Sequence, residues 1–537
     1  MSITALENLI QHPAPHIGPL SRSRPHIAVI GTGIGGLSAA LRLAHSGAQV
    51  SVFERHATPG GKMRTLPSVA GPVDAGPTVL TMKPVFEQLF ADVGAQLEDH
   101  VTLLREPLLA RHFWRDGTSL DLMADPEASL ENVGTAFGPR AAQEFTHFCA
   151  RATALFAAFD APMMRTQAPS LAALTATVLR NPRLIPKMAP HQSLAQMLRA
   201  QFSEPKLAQL FARYATYVGG IPQTAPAILC LIWEAERRGV WHVQGGMHRL
   251  ALAIEALARQ KGATFHYDAP VTRIEMAEGR PCAIHTQAIH TQAGRVAVDA
   301  VLFNGDPRAL ATGLLGDDLV PAVGKQAVGP RSLSAQVQTF AARTDFDLAA
   351  HNVFFADDPA QEYRPLSKGQ LQTDPTLYIC AQDRFGGAQP TGPERFEIIL
   401  NAPPAPDSGP DPTAPTPQES TQCQTLIFNR LAGFGLHFSP APDITTLTGP
   451  AGFNALFPAS NGSLYGRSPA GMMAAFSRPT ARTKIPGLYL AGGGAHPGAG
   501  VPMATLSAAH AAEAMIKDLC LTSTSPLAAM PGGTSMA

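Results

Sequence analysis

The run HIAVIGTGIGGLSAALRLAHSGAQVSVFE, residues 26–54, decides the fold. His26 to Ile30 is a short apolar, β-rich stretch of the kind that forms a buried strand. Gly31, Gly33 and Gly36 follow it in GxGxxG spacing, with Gly35 between them, and the next residues carry helical periodicity to a stop at Gly47. QVSVFE then reads as a second strand ending in Glu54, an acid 18 positions beyond Gly36. Strand, glycine turn, helix and acid-tipped strand together predict a dinucleotide-binding βαβ unit. Gly31 permits the tight turn, Gly33 lets a pyrophosphate approach the backbone, and Gly36 lets helix and strand pack closely. The phosphates then meet the free N–H groups of the helix N-terminus, and Glu54 accepts hydrogen bonds from ribose hydroxyls.

Immediately after Glu54 comes RHATPGGKMR. Arg55, Lys62 and Arg64 place positive charge beside the expected phosphates, and Gly60 and Gly61 keep the backbone bare. Near the other end of the chain, IPGLYLAGGGAHPGAGVPMATLSAAHAAEAM (485–515) reads as a strand, a glycine-rich loop and a helix with Pro502 in its first turn. That helix start offers N–H groups that stabilise negative charge on a reduced flavin. Gly492, Gly493, Val501 and Met503 are its expected cofactor contacts. Two nucleotide-facing segments, one near each end, imply one large cofactor gripped from both sides.

With 537 residues, 45% hydrophobic and 15% charged, the chain has enough apolar content for more than one domain and is not disordered or fibrous. Lys plus Arg and Asp plus Glu both total 41, so no global field recruits nucleic acid. Six scattered cysteines fit neither a disulfide framework nor a metal site, and a reducing compartment is expected. Residues 1–24 do not read as a secretion signal, lacking a basic start followed by an apolar run, and no charge-free apolar run in the sequence approaches the roughly 20 residues of a membrane span.

The expected fold class is α/β: a Rossmann-like domain, assembled from 25–105, 236–310 and 480–520, with an inserted substrate domain from 106–235 and 311–479. That second domain combines a mixed sheet with a helical part facing a membrane. Residues 1–24 are expected to be a flexible extension, 403–420, with seven prolines, an exposed loop, and 521–537 a disordered tail. The tandem AIHTQAIHTQA (283–293) carries two histidines, but a duplicated polar hairpin or loop is expected there, not a metal site.

The motifs GTGIGG, ERHATPGGK, VDAGPTVLT (73–81), GVWHVQGGMHRLALAIEALA, VLFNGDP and GLYLAGGGAHPGAGVP resemble the phytoene desaturase family of carotenoid flavoenzymes, within the amine-oxidase-like FAD superfamily. The likeness covers about 25–519. GPTVLTM and RYATYVGG (213–220) are most similar to the 1-hydroxycarotenoid 3,4-desaturases, or hydroxy- and methoxyneurosporene dehydrogenases, of photosynthetic bacteria. The resemblance implies FAD, an acyclic carotenoid substrate, and peripheral attachment to the cytoplasmic side of a membrane. It also implies an adenine contact from the backbone of Val271. Where many of the wider superfamily carry an acid for the ribityl chain, this sequence has Gly492-Gly493-Gly494, so only backbone contacts are expected there.

The expected reaction is FAD-dependent desaturation: hydride leaves an allylic carbon for the flavin and a proton leaves its neighbour. With no second GxGxxG for a nicotinamide nucleotide, the electron acceptor is expected to be oxygen, a quinone or another membrane acceptor. No catalytic base is assigned; His496 and Glu234 are possible neighbours. Tyr214, Tyr217, Trp241 and Met247 are candidate substrate-lining residues, with His242 beside them; a polar side chain deep in the cavity is expected to meet the substrate oxygen, with Arg213, Tyr214 and Tyr217 as its candidates, and core packing is the competing role. Ala161 to Ser203 holds Arg165, Arg180, Arg183, Lys187 and Arg199 without one Asp or Glu, which suits an interface with anionic headgroups. Alternatives are a phytoene desaturase acting in successive steps, a redox-neutral carotenoid isomerase, and a non-catalytic prenyl-binding chaperone like the Rab GDP-dissociation inhibitors.

Overall fold

The computed structural model describes residues 24–287, 294–406, 417–443 and 446–523. His26–Ile30 lies at the centre of a five-stranded parallel sheet in the order Leu488–Leu490, Ala300–Phe303, His26–Ile30, Gln49–Phe53, Thr264–His266. Both faces are covered, as an all-parallel sheet requires. Helices Ile34–His45, His248–Gln260 and Val501–Ser523 pack together on one side, and Arg308–Ala311 with its neighbours covers the other. Strands from four distant stretches meet here, so the domain closes only when the chain returns to it.

The first helix starts at once because Gly31 turns the chain at φ +96°, a conformation that favours glycine. A β-carbon on Gly36 would come 2.0 Å from the Gly31 carbonyl oxygen, so helix and turn pack at a distance no side chain permits. Residues Val271–Ala277, Arg280–Thr286 and Arg295–Ala297 form an antiparallel sheet beside this domain. His285 of the duplicated stretch bonds to Glu275 on its surface; His290 lies outside the described residues.

The second domain is built on a seven-stranded mixed sheet, ordered Leu447–Thr448, Ser334–Ala342, Glu394–Ala402, Leu377–Ala381, His351–Phe354, Leu108–Phe113, Ser119–Met123. Its pairs are antiparallel except His351–Phe354 with Leu108–Phe113. Helices from Pro126 to Arg237 pack around an aromatic core of Phe148, Phe211 and Trp233. Two expectations are corrected. The proline-rich stretch yields to a helix at Pro417, running to Ala432, because proline suits a first helical turn and Cys423, Ile427 and Leu431 bury against the sheet. The last helix runs to Ser523, past the expected start of the tail.

Candidate functional site

A single cavity of about 1280 Å³ runs from the glycine turn into the second domain. At one end it is walled by Gly31, Gly33, Gly35, Glu54, Arg55, Gly61, Lys62 and Val271, and beyond them by Gly492, Gly493, Val501 and Met503. All of these expected cofactor contacts are therefore brought to one wall. Gly36 is not part of it; it sits behind Gly31, where it serves packing.

The chemistry of this wall suits a dinucleotide. The helix that begins after Gly33 has no side-chain cap and no acid in its first turn, so its N–H groups are left for an anion. Glu54 is buried; its Oε2 accepts from the Thr32 N–H (2.8 Å) and hydroxyl (2.7 Å), and its Oε1 from the His56 N–H (3.0 Å). A carboxylate offers about four acceptor sites, so the turn orients this one and leaves capacity for a ribose hydroxyl. Asn304 ties the two nucleotide-facing segments together. Its amide donates to the Gly31 and Gly33 carbonyls (3.3 and 3.4 Å), while Gly492 packs over its side chain.

Lys62 is exposed, but into the cavity, where its Nζ donates to the Leu464 carbonyl of the enclosing wall (2.5 Å). That enclosure pushes its pKa down to about 8, with Asp306 pulling upward and Arg331 downward. Arg64 is corrected: it leaves the cavity, donates to Thr448 (2.9 Å) and lies over Phe453. Arg331 pairs with Asp306 inside the protein, and Arg478 donates to the carbonyls of Gly493 (2.9 Å), Tyr465 (3.0 Å) and Arg467 (2.9 Å). Burial pushes Arg478 down to about 10. Neither arginine was anticipated from sequence: Arg478 fastens the glycine-rich loop to the second domain, and Arg331 ties Asp306 to the Ser460 carbonyl (3.1 Å).

Further in, the wall is largely apolar, with Phe156, Phe159, Met163, Leu174, Ile228 and Leu229. It reaches the surface at Met473, which both lines the cavity and is 49% exposed. Leu171, Leu179 and Ile185 are exposed nearby in sequence to the cavity-lining Leu174 and Met188. Helix Leu171–Arg180 has no buried residue.

Of the four substrate-lining candidates only Tyr217 joins the wall. Tyr214 stacks on it at 4.9 Å and faces the aromatic core, because residues 213–218 form a 3₁₀ turn. Trp241 and Met247 pack with the core of the first domain, drawn there by the strand Trp241–Val243 and the helix that follows. Glu234 is also outside the cavity: buried, it accepts from Arg237 (2.9 Å), Arg238 (3.0 Å) and Thr153 (2.9 Å). His496 lines the cavity and its Nε2 bonds to the Thr166 carbonyl (2.9 Å); burial pushes its pKa down to about 4. His242 stacks on Phe385 at 3.7 Å, away from the wall.

A polar group lies in the apolar part: Arg213, Tyr217, Glu236, Tyr378, Thr78 and His351. Tyr378, Thr78 and His351 were not legible as site residues, since no local motif brings residues 78, 351 and 378 together. Among the described residues, no group of three or more His, Cys, Asp or Glu is placed to hold a metal ion.

Comparison with known proteins agrees with this geometry. Residues 34–393 match the family model described as flavin containing amine oxidoreductase. The chain is 52% identical to hydroxyneurosporene desaturase of Cereibacter sphaeroides, over 92% of this chain and 98% of that one. It is 46% identical to the hydroxyneurosporene desaturase of Rhodobacter capsulatus, over 93% and 99%. The identity to the 1-hydroxycarotenoid 3,4-desaturase of a Flavobacterium species is 30%, over 89% and 96%. Among solved structures, an oxidoreductase from Methanosarcina mazei shares the fold at a TM-score of 0.56 and 17% identity, covering 90% of this chain and 99% of that one.

Proposed function

The chain belongs to the family of flavin-containing amine oxidoreductases, and from that premise we propose that it desaturates the C3–C4 bond of an acyclic carotenoid bearing a hydroxyl or methoxyl group at C1. It is an FAD-dependent oxidoreductase of carotenoid desaturation. One observation carries the proposal: the wall that suits a dinucleotide continues without a break into an apolar tunnel that reaches the surface. A long rod entering at Met473 slides between Phe156, Phe159 and Leu174 toward Gly492 and Met503.

Two hydrogens leave adjacent carbons, one with the bonding electron pair and one as a proton. FAD, when bound, supplies the two-electron acceptor for the first. The protein aligns the rod, excludes water along the apolar wall, and presents the N-terminus of helix Val501–Ser523 toward the growing negative charge. With no second GxGxxG in the sequence for a nicotinamide nucleotide, oxygen, a quinone or another membrane acceptor takes the electrons in this proposal.

A membrane source for so apolar a substrate is supported by the tunnel mouth. Arg180 and Arg183 are exposed beside Leu179, itself 72% exposed, and Lys187 lies one turn further on. No helix among the described residues is long and apolar enough to cross a membrane, so attachment is peripheral in this proposal. The test is direct. Purified protein carrying flavin is incubated with liposomes loaded with 1-hydroxyneurosporene or phytoene, and the products are separated by chromatography. One added double bond in the hydroxylated carotenoid, severalfold faster than any product from phytoene, is expected. Equal rates on phytoene through several steps would make the protein a phytoene desaturase instead.

A further inference from the structure

Arg213 is enclosed by protein but keeps accessible surface, and it forms part of the cavity wall. Its Nη2 donates to the Tyr217 hydroxyl at 3.3 Å. Among the described residues no carboxylate stands within ion-pairing distance of it. Its other guanidinium nitrogens are neither sealed in the protein nor matched by a protein acceptor, so they open into the cavity. The guanidinium lies 5.1 Å from the Tyr217 ring centre and 5.7 Å from that of Tyr378, which fixes its plane. A permanent cation with free donors is a costly group to keep in an apolar tunnel unless something with an oxygen meets it.

The location points to which oxygen. The Tyr378 hydroxyl is held by Thr78 (2.7 Å) and His351 (2.7 Å). Thr78 belongs to the loop in which Gly76 presses on Lys62, where a β-carbon would come 1.9 Å from the Lys62 carbonyl oxygen. On the other side, Gly219, at the end of the Arg213 turn, packs on Tyr465, and neighbouring Gly466 packs on Gly494 of the glycine-rich loop. Arg213 therefore stands between two segments that border the cofactor wall, where the substrate reading above puts the reacting carbons.

We propose that Arg213 is the specificity-determining residue of this tunnel, donating hydrogen bonds to the oxygen on C1 of the carotenoid. This rests on the substrate reading above, in which C1 lies two carbons from the C3–C4 bond, so the oxygen and the reacting carbons must sit close together. The Tyr217 hydroxyl accepts from Arg213, and Glu236 lies near Tyr214 and Tyr217 in the same polar group. A guanidinium carries donors and no acceptor, so the Arg213 face presented to the substrate only donates. A tertiary hydroxyl and a methoxyl both accept, so both are taken; a hydrocarbon end leaves the guanidinium unpaired and is rejected.

The test compares 1-hydroxyneurosporene, 1-methoxyneurosporene and the 1-deoxy analogue 1,2-dihydroneurosporene in matched liposomes. For the unaltered protein, kcat/KM on both oxygenated carotenoids is expected to exceed that on the deoxy analogue by about ten- to a hundredfold. In Arg213→Met that preference should collapse to within about threefold, with flavin content unchanged. Arg213→Gln, which keeps an amide donor, should recover part of it. If Arg213→Met fails to fold because Glu236 loses its nearby cation, Arg213→Met/Glu236→Gln takes its place with the same expectation. A preference that survives in the folded variant, or rates that fall equally on all three carotenoids, would overturn the assignment while leaving the substrate reading intact. No preference in the unaltered protein would overturn the substrate reading, and the role of Arg213 with it.

Discussion

Gly35 and Gly492, 457 residues apart in the chain, touch backbone to backbone: a β-carbon on Gly35 would lie 2.8 Å from both the Cα and the amide nitrogen of Gly492. The same β-carbon would come 2.5 Å from Asn304 Oδ1. The two cofactor-facing segments are thus joined through bare backbone, and any side chain at residue 35 separates them. Gly35→Val is expected to abolish stoichiometric flavin while the second domain still folds. Absorbance of the purified variant near the flavin bands, with circular dichroism as the fold control, checks this; a fully yellow variant would remove Gly35 from the contact.

Lys62 supplies a pH dependence whose sign can be worked out. Enclosure lowers its pKa to about 8, and a bound anion favours the protonated form. Below about 8 the ammonium is already present in the flavin-free protein. Above it, a proton must be taken up for FAD to bind, so affinity is expected to fall as pH rises, by at most about tenfold per unit. Fluorescence titration of flavin-free protein from neutral to alkaline pH measures the slope, and Lys62→Met should bind more weakly at neutral pH with the slope flattened. An unchanged slope in that variant would place Lys62 away from the phosphates.

Cations beside an exposed apolar helix make the membrane face testable. Reversing Arg180, Arg183 and Lys187 to Glu should reduce sedimentation with anionic liposomes, on the order of a hundredfold in partitioning at about 1 kcal/mol per cation lost. Leu179→Ser should weaken binding to neutral liposomes as well. Binding insensitive to both changes would move the docking face elsewhere on the molecule.

The second domain holds a paired charge whose loss should be felt in stability. Arg384 donates through Nε and Nη2 to the two oxygens of Glu394, both at 2.7 Å, and all but a few per cent of both side chains is buried. Glu394→Gln leaves the guanidinium without its counter-charge and is expected to cost about 3–5 kcal/mol. A lower thermal midpoint than for the surface control Glu98→Gln would show this. Arg384→Met/Glu394→Leu should restore part of the loss, because an apolar pair carries no desolvation cost.

By itself the sequence determined the nucleotide turn, the acid-tipped second strand and the C-terminal glycine-rich loop with its helix. Each is a local pattern in which backbone conformation follows from a few adjacent residues: Gly31 at positive φ, Gly36 against Gly31, Glu54 at a strand end. Hydrophobic alternation likewise marked the strands of the mixed sheet, such as Glu394–Ala402. What only the tertiary structure decided is which side chains face the cavity. Tyr214 and Tyr217 share a turn, yet one enters the aromatic core and the other the wall; Trp241 and Met247 look as suitable as Tyr217 and are packed away. Thr78, Arg213, His351 and Tyr378 come together across the sheet from four separate segments. Such a juxtaposition depends on strand order and packing between elements far apart in the chain, and no window of neighbouring residues contains it.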